Sequence, residues 1–534
     1  MGASERTLTA LLDRLARHRP DAPALIDRDR PVSCAALAEE VARLAQGLSS
    51  IGMGVGDRVA LWLPNVPAWL AVFLACARLG AIAVSVNTRF RGREVADIVA
   101  RSGCKVIVFW PGFRGIDFAG ILAECEPQSF DSLTHAVTYA EDEHAALPER
   151  VHGRQALAYH SLLAGGAMIA DQARPESGCV IFTTSGTTKA PKLVLHDQRT
   201  VLRHAEDVAH DFGYAAEDTR VLVTAPLCGV FGFTNAMGAL AAARPLVMLP
   251  TFDPVESAQA VLRHRVTHTH ASDEMIARML EAVPGTPAFP SAKFFGFAAF
   301  SPACADLPQR AQARGLTVVG LYGSSELHAL AARQSESAPL GQRALAGGRL
   351  VASAGRVRAR DPESGAIRPH GIAGELECRA PSCMTGYYGD PAATRSAFTD
   401  DGYFRTGDLG YSTDDRSFVF LARLGDALRL DGFLVSPAEV EDVLQTHASV
   451  AAAQVVGVDT PAGARAFAFV ILNPGALFDE RKLISHCAAR IAKFKVPVRV
   501  RPIDAFPVTP GANATKIQKS KLRETAQAIV GHLV

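Results

Sequence analysis

Apolar positions along the chain fall into alternating helical and strand patterns. Leu37, Val41, Leu44 and Leu48 share one face at helical spacing, which predicts a helix over 34–50, ended by Gly52 and Gly54. Arg58 to Leu63 is then almost wholly apolar, as a buried strand would be, and Pro64 with Asn65 makes its turn. A second helix over 68–78 passes through Gly80 into an apolar strand over 81–86. Strand, helix and strand at this spacing form a βαβ unit, so a parallel sheet is predicted. The alternation returns as a helix over 255–264 and a strand over 266–270, and Thr317 to Leu321 forms a further strand that exits at Tyr322. Residues 126–176 are polar and irregular, and are predicted to be a surface excursion.

After Gly425 the pattern changes. A helix over 437–446 opens at Ser436, with Pro437 in its first turn and Glu439 completing a capping box. Strands over 450–457 and 466–472, a helix over 479–492 and a strand over 498–503 follow. The expected architecture is α/β: a large N-terminal domain of mixed and parallel sheets with layered helices (1–424), and a small mobile α+β C-terminal domain (425–534).

Composition narrows the function classes. A chain of 534 residues exceeds one core. The net charge of +1 favours neither nucleic acid nor an anionic membrane surface as a partner. No run approaches the 18 apolar residues of a membrane span, so no integral membrane association is expected. Ten scattered cysteines without a Cys-x-x-Cys pair point to reduced thiols and a cytoplasmic setting. His264, His268 and His270 cluster, but alternate through a short apolar stretch rather than at metal-ligand spacing.

The candidate chemistry centres on Val180 to Leu195. An apolar strand runs into Thr183, Thr184, Ser185, Gly186, Thr187 and Thr188, and Lys189 and Lys192 follow. Hydroxyls and free backbone N–H groups suit the acceptor-only, negatively charged oxygens of a polyphosphate. Gly186 and Lys192 have P-loop separation. However, Pro191 stands where the second glycine belongs and Leu193 where the hydroxyl residue belongs, so this is not a Walker A loop. On residue types alone, a ligand-free polar loop stays open.

Five segments in order resemble the ANL superfamily of adenylate-forming enzymes: acyl-CoA synthetases, adenylation domains and luciferases. The loop is similar to Tyr/Phe-Thr-Ser-Gly-Thr-Thr-Gly-x-Pro-Lys-Gly through Thr184, Ser185, Gly186, Thr187, Thr188, Pro191 and Lys192, with Lys189 and Leu193 replacing glycines. A side chain costs on the order of 1 kcal/mol wherever such a glycine has positive φ. Tyr322, Gly323, Ser325 and Glu326 resemble Tyr-Gly-x-Thr-Glu. Thr406, Gly407 and Asp408 resemble Thr-Gly-Asp, which alone is a common turn. Arg423 and Gly425 resemble the hinge region, and Lys516 aligns with the C-terminal catalytic lysine.

The resemblance implies ATP-dependent conversion of a carboxylic acid to acyl-AMP, then transfer to CoA with release of AMP. It implies that Thr184–Thr188 and Lys192 meet the phosphates and that Tyr322 stacks on adenine beside Gly323 and Ser325; Lys189, a departure from the family's glycine, is expected to add charge beside the phosphates. Glu326 and Thr188 would hold Mg2+, Asp408 the ribose hydroxyls, and Arg423 the ribose or phosphate. Lys516 would bridge the carboxylate and α-phosphate, and Gly425 would be the swivel. In the segment that resembles the acyl gate, Gly229 replaces a frequent histidine. With Phe231, Phe297 and Phe300, and with Phe233, Phe294 and Phe295 nearby, it suggests an apolar acid site and a fatty or aryl acid, although aromatic core explains the same residues. An acyl-AMP ligase loading a carrier protein and an inactive nucleotide binder are the alternatives. Monomer and homodimer are both open.

Overall fold

The computed structural model describes residues 6–142, 147–165, 170–184, 191–301, 304–430, 433–460, 463–510 and 515–531. The first βαβ unit forms as the periodicity predicts: strand Arg58–Trp62, helix Pro67–Leu79, and strand Ile82–Ser85, which pairs parallel with the first. The helix is buried on all sides, because a strand-hydrophobic sheet lies on one face and other helices on the other. Helix Cys34–Ser50 is capped by the Ser33 hydroxyl, which accepts from the Ala36 N–H.

These strands belong to a nine-stranded sheet that runs from Gly386–Tyr387 through Leu193–Asp197 and Gly178–Thr183 to the far edge at Arg150–Val151. Residues 126–176 are not the surface excursion expected from their polarity. His135–Thr138 and Arg154–Ala158 continue the sheet as parallel strands, and Ala136 and Val137 are fully buried. Each strand has only four or five residues, too few for a visible period.

A second, 14-stranded sheet has two characters among the described residues. Leu246–Met248, Val221–Val223, His268–Ser272, Phe294–Ala298 and Val318–Ser324 pair parallel. From there it turns antiparallel through His328–Arg333, Gly347–Leu350, Ser417–Arg423 and Phe404–Ser412. Tyr322 therefore lies at the carboxyl end of the last parallel strand, where open α/β sheets gather ligands. The Thr-Gly-Asp segment is not a turn but part of strand Phe404–Ser412, with Gly407 at φ 67° inside it.

The C-terminal residues form a three-stranded sheet, Val450–Thr460, Gly463–Leu472 and Arg499–Pro502, with helices Pro437–Gln445, Glu480–Ala488 and Lys519–Gly531. It has its own apolar core around Val440, Leu444, Val455, Ala468 and Leu483. Helix Pro437–Gln445 begins where expected, but the capping box does not form. Ser436 Oγ donates instead to the Leu421 carbonyl at 3.2 Å, and Glu439 pairs with Lys495 at 2.8 Å. The link back to the preceding strand wins the hydroxyl.

Candidate functional site

Two clusters of the expected residues form on the large domain. In the first, strands Phe404–Ser412 and Ser417–Arg423 set Asp408 directly opposite Arg423. Cross-strand pairing places the carboxylate Oδ1 2.9 Å from Arg423 Nη1. Asp408 Oδ2 accepts from the Tyr322 hydroxyl at 2.6 Å. Thr406 fixes the bend, donating to the Leu376 carbonyl at 2.7 Å and accepting from the Asp408 N–H at 3.1 Å. Gly323 is required by close approach, since a Cβ there would lie 2.6 Å from the Ala329 Cα.

Asp408 is 2% exposed, and burial raises its carboxyl above the usual range against the pull of Arg423 and the Tyr322 hydrogen bond. Burial, then the Asp408 charge, pushes the Tyr322 phenol far up, so it stays a donor. The Arg423 contact is not aligned as a hydrogen bond, so Oδ1 keeps accepting capacity while fully buried. A buried, oriented acceptor atom is what a vicinal diol needs. The Tyr322 ring meets Phe418 edge-on at 4.9 Å and Phe420 at 5.9 Å.

The second cluster joins Lys192, Tyr387 and Glu326. Strand Gly386–Tyr387 pairs antiparallel with Leu193–Asp197, which places Tyr387 opposite Val194. Its hydroxyl donates to Glu326 Oε1 at 3.0 Å, and the Lys192 ammonium sits 4.2 Å from its ring centroid. The loop's two ends are tied, because Thr184 N–H donates to the Lys192 carbonyl at 3.0 Å and Lys192 N–H to Thr184 Oγ1 at 3.1 Å. Leu193 lies in a regular strand opposite Thr183 and is 2% exposed, without positive φ. The strain expected from losing a glycine there is absent. Ser185, Gly186, Thr187, Thr188 and Lys189 lie outside the described residues.

Glu326 is half-buried and has no ion-pair partner among the described residues. A hard, acceptor-only carboxylate with free lone pairs fits a Mg2+ ion. Ser325 is held through its backbone: His196 Nε2 donates to its carbonyl at 2.8 Å. His196 stacks on His328 at 3.7 Å, and His204 lies 5.1 Å from His328 on the other side. All three are buried, and burial pushes His196 and His204 down to about 4.

Gly229 caps the buried helix Val230–Ala241. Phe231 and Phe233 pack in one apolar cluster and Phe297 in another, with Phe294 and Phe295 also in core positions. Phe300 is 40% exposed. Gly425 has open space around its Cα and no positive φ, so this conformation does not itself demand glycine. Its carbonyl accepts from Arg523 at 3.3 Å. Lys516 has its backbone in the strand Thr515–Ile517, paired with Thr509, and its side chain lies outside the described set. Sequence reasoning missed Tyr387 and the histidine stack. Tyr387 follows a glycine in Gly386–Tyr387–Tyr388, which carries no chemistry-bearing pattern by itself.

Two family models match the chain, "AMP-binding enzyme" over residues 12–388 and "AMP-binding enzyme C-terminal domain" over 439–512. A relative from Mycobacterium tuberculosis (strain ATCC 25618 / H37Rv), 3-[(3aS,4S,7aS)-7a-methyl-1,5-dioxo-octahydro-1H-inden-4-yl]propanoyl:CoA ligase, is 31% identical over 97% of this chain and 99% of its own length. Sulfoacetate–CoA ligase of Cupriavidus necator is 30% identical over 97% of each chain. Among solved structures, ATP-bound MatB from Rhodopseudomonas palustris superposes with a TM-score of 0.81 at 25% identity, covering 98% of this chain and 99% of that one.

Proposed function

The chain belongs to the AMP-binding, AMP-forming acid–CoA ligases of the ANL superfamily, and we propose that its acid is a fatty or aryl carboxylic acid. The observation that carries this reading is the helix Val230–Ala241. It has no ionisable side chain, begins at Gly229 and buries Phe231, Phe233 and Met237. An anionic group on the far end of a substrate would meet no counter-charge there, and burying it unpaired is costly. The relative that is 31% identical is named for a propanoyl chain on a bicyclic, largely hydrocarbon frame, which supports the same reading.

In this scheme ATP lies across the two clusters. Asp408 Oδ1 accepts from the ribose diol, the Tyr322 ring flanks the base beside Gly323 and Ser325, and Arg423 neutralises Asp408. The loop Thr184, Ser185, Gly186, Thr187 and Thr188, with Lys192, faces the phosphates. Glu326 and Thr188 would hold Mg2+, whose charge offsets the phosphate oxygens as two anions approach. Lys516 places the acid carboxylate in line with the α-phosphorus. A carboxylate–phosphorus bond forms as pyrophosphate leaves. The CoA sulfur then attacks the acyl carbonyl and AMP departs. We place the domain boundary at 424/425, with Gly425 as the swivel that withdraws Lys516 between the two steps.

Pyrophosphate release across an acid panel tests the substrate assignment. Octanoate, decanoate, benzoate and cinnamate are compared with sulfoacetate and malonate, in the presence of CoA. The apolar acids are expected to exceed the doubly charged ones by at least about 100-fold in kcat/KM. Preference for sulfoacetate or malonate contradicts it.

A further inference from the structure

We propose that Tyr387 is a positioning residue for the metal-binding carboxylate: its hydroxyl presets Glu326 to receive the cation, while its ring seats Lys192 beside it. This rests on the reading of Glu326 and Lys192 as ligands of the metal and the phosphates. One side chain contacts both groups of opposite charge, with the hydroxyl 3.0 Å from Glu326 Oε1 and the ring centroid 4.2 Å from Lys192 Nζ. Among the described residues the second carboxylate oxygen, Oε2, accepts no hydrogen bond, which leaves it for the ion. The Tyr387 hydrogen bond also fixes the rotation of the carboxyl plane, as outer partners of metal-ligating groups commonly do.

The strand geometry holds Tyr387 in place. Its N–H donates to Thr394 Oγ1 at 2.9 Å, and the flanking Thr385 and Tyr388 N–H groups donate to the Leu195 and Leu193 carbonyls at 2.9 and 2.7 Å. The Met384 N–H donates to the Glu326 carbonyl at 2.7 Å, so the Glu326 backbone is tied to the chain three residues before Tyr387. Tyr387 is 7% exposed. A purely structural tyrosine would need neither contact with a group expected to meet ligand.

The test is Tyr387→Phe, which keeps the ring and removes only the hydroxyl. ATP binding is measured by calorimetry across a Mg2+ titration and again in EDTA, with thermal midpoints taken on the same samples. The Mg2+ concentration for half-maximal tightening of ATP binding is expected to rise about tenfold or more. ATP binding in EDTA stays within about twofold, because Lys192 keeps its ring contact. An unchanged Mg2+ dependence overturns the proposal, as does equal weakening with and without Mg2+. Glu326→Gln separates the two levels. If it leaves the Mg2+ dependence intact, the metal reading of Glu326 fails. If it abolishes that dependence while Tyr387→Phe matches the parent protein, only the role of Tyr387 fails.

Discussion

Replacing Lys516 by alanine is expected to separate the two half-reactions. Acyl-AMP formation should fall on the order of 10²–10³-fold, the loss typical when one preorganised charge is removed from a transition state. Conversion of supplied acyl-AMP and CoA to thioester should stay within about threefold of the parent rate. The reason lies in where the residues sit. Tyr322, Asp408 and Glu326 lie in or beside the 14-stranded sheet, whereas Lys516 lies on a short strand after the C-terminal domain's own core. A lysine carried by a separate unit serves only the arrangement that brings it to the α-phosphate. Stopped-flow detection of pyrophosphate and of thioester reads the two steps independently. Equal losses in both would assign Lys516 to general folding or binding, and no loss in the first would remove it from the chemistry.

Acidification from pH 7 to pH 5 is expected to destabilise the fold strongly. His196, His204 and His268 are buried neutral, and burial pushes each from 6.5 down to about 4. His270 and His328 are pushed lower still, by burial and then by neighbouring histidines. In the unfolded chain these imidazoles take up protons near pH 6.5, whereas in the folded chain they do not until about pH 4. The unfolded state therefore binds more protons throughout that window, so stability is complete above pH 6.5 and falls as the pH drops towards 4. At pH 5 each contributes a loss of about 2 kcal/mol, against a typical total of about 5–15.

Buried carboxyls oppose this. Burial raises Asp273 and Glu441, so in the folded state they take up protons before they would in the unfolded chain, and they contribute stability as the pH falls. The histidines act earlier, from pH 6.5, and set the trend above pH 5. A thermal midpoint about 10 °C lower at pH 5 than at pH 7 is expected. A flat midpoint over that range would mean that the imidazoles reach water or a proton acceptor in the native state.

The parts of this site legible in the sequence are those whose chemistry sits in contiguous residues. Thr184 to Lys192, Tyr322 to Glu326 and Thr406 to Asp408 stand out through their resemblance, in order, to the superfamily's motifs. The contacts between segments do not. Asp408 and Arg423 face each other only because two strands pair in one register, and nothing local specifies that register. Tyr387 and Glu326 are 61 positions apart, and His196 and His328 meet across two separate sheets. Long periodic helices such as Cys34–Ser50 are visible in the sequence, whereas His135–Thr138 is too short to show a pattern. The capping box at Ser436 failed because a nonlocal carbonyl, that of Leu421, competes for the same hydroxyl.

An acid activated as an acyl-adenylate on the site around Asp408, Glu326 and Lys192 would pass one of its oxygens to the nucleotide. Isotope transfer tests this most directly. The preferred acid, labelled with 18O in its carboxylate, is turned over with ATP and CoA, and the products are resolved by mass spectrometry. One carboxylate oxygen becomes the bridge to phosphorus, so AMP is predicted to carry one 18O atom and pyrophosphate none. Label in orthophosphate, with ADP as the nucleotide product, would mean an acyl-phosphate route and would contradict the account.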